Sequence, residues 1–226
     1  MWTLKKKRPV EPLPVEIVAD ADESFGIFAA ILEGTIAYMK LLHLDGPEAT
    51  ETVSLVMKCC ASVPNPYQDI RRLLRQDNWR SHLVAAVALA TLATNTEAND
   101  ELWNAIDKGS WVTPQLAAVA LLRDPMFAER ARKRLRSGCP VHASQAAKLS
   151  VPKRHSSTGP GGSVERSGKT AASLVALVGL LPETDWLVAE AASVDLMSLL
   201  DKDTDSSGMI AERWLKRLSG DSSIRA

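Results

Sequence analysis

The stretch WRSHLVAAVAL that begins at Trp79 returns at Trp111 as WVTPQLAAVAL, with AAVAL at the same distance from the tryptophan and a period of 32 residues. Self-similarity at such a period constrains a chain strongly, because each repeat is one supersecondary unit that cannot bury its apolar face alone. A third copy, WLVAEAASVDL from Trp186, keeps Ala192, Val194 and Leu196 at the matching offsets. A second element recurs in register, as MFAERARKRL from Met126 and as MIAERWLKRL from Met209. Each unit therefore reads as a Trp-led helix, a short turn and an amphipathic helix closing in Lys-Arg-Leu. In the turn RDP, Pro125 suits a helix start, where its missing N–H costs nothing. The basic residues that follow suit the negative pole of the helix dipole. The AAVAL helices are apolar nearly all round, which predicts burial on both sides.

Composition agrees with helix. Of the 226 residues 46% are apolar, with Ala and Leu dominant, and six of the few aromatics are Trp. Ala and Leu lose little freedom in a helix, whereas strands favour β-branched and aromatic residues. In DNWRSHLVAAVALATLA, the residues Asp77, Trp79, Arg80, Ala85, Ala86, Ala88 and Leu89 resemble the Asp-x-Trp-Arg…Ala-Ala-x-Ala-Leu pattern of HEAT-like repeat proteins. The resemblance extends over residues 66–135 and 169–218, although the Trp111 copy has Gly109 and Ser110 in place of the acidic cap. It implies an all-α, HEAT-like solenoid, an α-α superhelix with an extended concave surface. The expected organisation is a flexible basic, Pro-rich tail over 1–15, then N-terminal helices and repeats over 16–136. A mobile linker or insertion over 137–168 follows, with C-terminal helices over 169–226 packing on the same solenoid. Residues 16–63 should supply two helices broken at DGPE, Asp45 to Glu48.

Two motifs suggest chemistry. GGSVERSGKT, Gly161 to Thr170, ends like a phosphate-binding Walker A loop. That loop needs four residues between its first Gly and its Gly-Lys-Thr, and Ser163 stands where that Gly belongs. No strand-like run precedes it, so Ser167 or Thr170 is read as the cap of a helix over Ala171 to Leu181. In DKDTDSSGMIAE, Asp201, Asp203, Asp205 and Glu212 fall at calcium-loop positions 1, 3, 5 and 12. Ser206 replaces the Gly of the sharp turn, Gly208 replaces the aliphatic anchor, and Glu212 also matches Glu129 of the repeated element. A polar insertion in a helical turn accounts for the same residues. His43, His82, His142 and His155 show no metal-ligand spacing on one helix, and Cys139 with His142 is a single half-site. His82 lies in an apolar helix and reads as a hydrogen-bonded core or groove histidine. No nucleophile, base and acid are visibly combined.

Lys plus Arg and Asp plus Glu both number 27, so no global field favours nucleic acid or an anionic membrane. Cys59, Cys60 and Cys139 do not suggest a disulfide framework, which points to a reducing, cytoplasmic location. KKKR near the N-terminus reads either as a nuclear address or as a solvated tail. No apolar run is long enough to span a bilayer. The expectation is a non-catalytic interaction module or scaffold that binds another protein, with no cofactor. Its candidate surface is Arg71, Arg72, Arg75, Trp79, Arg80, His82 and Trp111. One alternative is a HEAT-like nucleic-acid-binding protein, akin to DNA-base glycosylases, using those arginines and Arg132 to Arg136. The other is a calcium-regulated adaptor built on the Asp201 loop.

Overall fold

Short polar side chains cap two of the described helices, and the apolar pattern decides which face each helix buries. The computed structural model describes residues 25–33, 37–139, 161–182, 198, 200 and 206–220, the side chains of 161–166 excepted. A 3-10 turn, Gly26–Phe28, runs into α1 (Ala29–Leu32), followed by α2 (Ala37–Lys40) and α3 (Gly46–Ala61). Then come α4 (Tyr67–Arg75), α5 (Trp79–Thr91), α6 (Thr96–Asp107), α7 (Thr113–Arg123) and α8 (Phe127–Arg136). After these lie α9 (Gly161–Val178) and α10 (Ser207–Gly220), and no strand occurs among the described residues.

Asn78 caps α5 by accepting from the Arg80 N–H at 3.0 Å, and Asn95 caps α6 by accepting from Ala98 at 2.9 Å. Each cap satisfies one of the backbone donors that a helix start leaves without a partner. Asp124 instead orders the turn before α8, accepting from the Met126 N–H at 3.0 Å. Beyond its first turn α5 is buried from Ser81 to Ala90, and α7 is buried from Thr113 to Ala120. The all-round apolar reading of both helices holds.

Helix α4 packs on α5 and α6 packs on α7, while across these pairs α4 lies against α6 and α5 against α7. Helix α7 also packs on α9 and α10, which pack on each other. This corrects the expected unit. The Trp-led helix makes its broader contact with the helix before it, not the one after it. A periodic sequence has no intrinsic starting point, so cutting it at either loop gives the same period.

A ladder of charges joins alternate helices. Arg71 pairs with Glu97, and Arg75 pairs with Glu101 at 2.6 Å. Arg130 pairs with Asp100 at 2.7 Å, and Arg134 grips Asp107 with two bonds of 2.7 Å. Residue numbers rise together in both sets, so α4, α6 and α8 run in the same direction. The mostly exposed pairs contribute little each, about 0–1 kcal/mol. Arg134 is more enclosed and its forked geometry is stronger.

Helix α10 closes back on the loop before α3. Trp214 donates from Nε1 to the Leu42 carbonyl at 3.0 Å, and Gln115 donates to the same oxygen at 3.3 Å. Arg217 donates to the Leu44 carbonyl at 3.2 Å and pairs with Asp45. Where α10 crosses α9, a Cβ on Gly208 would meet Ala176 Cβ at 3.1 Å and the Ala172 carbonyl at 3.2 Å. Gly208 thus permits a close helix crossing.

Other expectations shift too. The break falls before Gly46, so Gly46, Pro47 and Glu48 of the expected break open α3, and among the described residues short helices α1 and α2 precede this one long helix. Helix α9 starts at Gly161, so GGSVERSGKT is helical rather than part of a linker ending at 168. Ser167 and Thr170 are consequently interior, buried residues and not caps. Burial of Ala171, Leu174, Leu177 and Val178 supplies the packing that outweighs the poor helix propensity of the glycines. The 1–15 tail, the 140–160 part of the expected linker and the Trp186 copy lie outside the described residues.

Candidate interaction site

The capped start of α5 puts Trp79 at its first position, and Trp111 stands in the turn before α7. These equivalent residues of consecutive repeats touch: their rings meet edge to face at 4.9 Å and 64°. Tyr38 of α2 meets Trp79 on another side at 5.7 Å and 78°. The Arg80 guanidinium lies 5.1 Å from the Tyr38 ring centre and 5.8 Å from that of Trp79. Both distances are within cation–π range. Tyr38 is buried, Trp79 is half-buried and Trp111 is 54% exposed, so the cluster has a solid base and an open edge. Tyr38 carries no repeat signature and was not legible as a member. The packing role expected of Trp79 and Trp111 is present.

His82 sits beneath the same helix start, 3% exposed. Its Nε2 lies 2.7 Å from the Gln76 carbonyl and its Nδ1 lies 2.8 Å from the Ser110 hydroxyl. A carbonyl only accepts, so Nε2 carries the proton and Nδ1 accepts from Ser110. The imidazole thus ties the α4–α5 connection to the α6–α7 connection as a neutral group.

Burial is the largest influence on His82 and pushes its pKa down, with Lys108 adding to the effect and the Gln76 carbonyl opposing it. The unfolded chain binds this proton more readily than the folded protein. Stability is therefore whole above the ordinary histidine value of 6.5 and falls as pH drops through it. Melting temperature should decrease between about pH 7.5 and 5.5, and His82→Gln should flatten that slope. An unchanged slope in the variant would assign the pH dependence elsewhere.

The arginines expected beside Trp79 do not form one patch. Arg71 and Arg75 are held by Glu97 and Glu101 of α6, and Arg72 lies 3.2 Å from Asp69 on its own helix. Burial alone would raise the Glu101 pKa, but hydrogen bonds from Arg75 and Asn104 outweigh it and lower the value. Of the second basic run, Arg134 is held by Asp107 and covers the Trp103 ring at 4.2 Å. Arg80 alone of the expected set joins the tryptophans.

Burial pushes the Cys60 and Cys139 thiols up to about 12, with Cys59 adding to the effect at Cys60 and Asp107 at Cys139. Neither supplies a thiolate near neutral pH. Of the calcium-loop residues, Asp201, Asp203 and Asp205 lie outside the described residues. Ser206 does adopt the left-handed turn expected to resist a non-glycine residue, at φ 54°. Ser207 already begins α10, where its carbonyl belongs to the helical ladder rather than facing a cation. Glu212 is exposed on that helix. No described helix is long and apolar enough to cross a membrane. Comparison with known protein families, curated proteins and solved structures returned no match.

Proposed function

We propose that the chain is a non-catalytic, HEAT-like helical-repeat module that binds another protein through Trp111, Trp79, Arg80 and Tyr38. The observation that carries this reading is the exposure of Trp111 on a rigid aromatic base. Tryptophan, tyrosine and arginine dominate binding energy at protein interfaces. A ring already held by its neighbours loses little further freedom on binding. The neighbour relations of α4 with α6 and α5 with α7, and the sequence resemblance, support the stacked-pair architecture. Against a nucleic-acid partner, Arg71, Arg75, Arg130 and Arg134 would each have to exchange a carboxylate for a phosphate.

Immobilised protein should retain a protein ligand that Trp111→Ala does not. Titration of that ligand should show a loss of about 2 kcal/mol or more, roughly 30-fold. The melting temperature should fall only modestly, since about half of the residue is in solvent and the lost edge-to-face contact with Trp79 is worth about 0.5–1.5 kcal/mol. Equal affinity of Trp111→Ala and wild type, or ligands confined to nucleic acid, would refute the proposal.

A further inference from the structure

Away from the tryptophans, α3 and α10 leave an open groove of about 920 Å³ between them. One wall carries Ala49, Thr50 and Val53, which fall on a single stripe of α3. Met209, Arg213 and Lys216 form the other wall, again at one-face helical spacing. Ala49 and Val53 are buried floor, while Met209 is 61% exposed. The groove is therefore apolar at its base and charged along one rim.

Arg213 and Lys216 are exposed and form no ion pair among the described residues, and Arg217 beside them is engaged by Asp45. The single carboxylate on the lining is Glu212. Both walls are helices whose backbone groups bond internally, so the groove offers no ladder to an extended strand. A helix, which bonds its own backbone, suits such a groove. An apolar floor also gives a small anion nothing to bury.

We propose that this groove receives an amphipathic helix of a partner protein, its apolar stripe on Leu44, Met209 and the Thr50 methyl above the Ala49 and Val53 floor, and its carboxylates toward Arg213 and Lys216. This is recognition of a helix by a groove, with the register set by opposite charge. It does not depend on the aromatic cluster.

The test uses the full chain and two fluorescent synthetic peptides that share one leucine stripe. One carries Glu on its remaining faces and the other carries Lys. Anisotropy should show the Glu peptide binding about tenfold or more tightly than the Lys peptide. Arg213→Glu combined with Lys216→Glu should invert that preference. Thr50→Trp, which fills the mouth from an exposed position, should weaken binding of the Glu peptide, and Trp111→Ala should leave it unchanged. Circular dichroism should match wild type in each variant, and melting temperature should match it in the groove variants.

Equal affinity for the two peptides would overturn the proposal, as would a preference that survives charge reversal. Displacement by inorganic phosphate alone would mean a simple anion site and would overturn it as well. So would loss of the Glu peptide in Trp111→Ala, which would place the peptide on the aromatic cluster instead.

Discussion

Replacing Trp103 with alanine should destabilise the protein by about 3–5 kcal/mol, the usual range for deleting a large buried aromatic. The side chain is 1% exposed, and its ring lies 5.8 Å from Phe127 on α8 with the Arg134 guanidinium 4.2 Å from its centre. Its N–H donates to Asp124 Oδ2 at 2.7 Å, and Arg130 reaches that same oxygen at 3.2 Å. Truncation would leave a cavity between α6 and α8, uncover Arg134 and remove one of the bonds that hold Asp124 in place. For a chain of this length the melting temperature should fall by about 10 °C. Trp103→Phe keeps the ring and loses the N–H, so it should cost about 1–2 kcal/mol. Chemical denaturation of the three proteins gives the order directly. An alanine variant no less stable than the phenylalanine variant would mean that the cavity does not dominate.

Trp214→Ala should cost a similar amount, about 3–5 kcal/mol, but the damage should be distributed differently. Trp214 is 1% exposed and its bond to the Leu42 carbonyl joins residues 172 apart in the chain. Without it, Arg217 with Asp45 and Leu44 would have to hold α10 to the 41–45 loop through partly exposed contacts. Local opening should then cost less than global unfolding. Hydrogen exchange should lose protection first in α10 and in residues 41–45, while α5 and α6 stay protected. Uniform loss across all helices would show that α10 and the repeat core unfold as one unit.

These two tryptophans also separate what could be read along the chain from what could not. The periodic Trp79 and Trp111 were legible as packing partners, because equivalent residues of adjacent repeats face the same inter-helix seam. Trp103 and Trp214 belong to no such alignment of tryptophans. Their partners, Asp124 and Leu42, are ordinary residues until folding brings them near. The candidate site was half legible: Trp79, Arg80 and Trp111 come from the repeat, while Tyr38 lies in a short helix without any pattern. The arginines were legible as charges but not as ladder members, since Glu97 and Glu101 lie on a neighbouring helix, 26 residues further along the chain from Arg71 and Arg75.

Periodicity and composition were enough to read this chain as helical and to pick out α5 and α7 as buried all round. Those properties depend on local causes: apolar periodicity and the low entropy cost of Ala and Leu in a helix. That α5 pairs with α4, that α9 begins at Gly161 and that α10 closes on the loop before α3 could be seen only in the folded protein. Each of those depends on contacts between distant residues, and local preference yields where enough apolar surface is buried. Glycine carries the same lesson at Gly208, where the missing side chain matters only because α9 passes within contact distance of it.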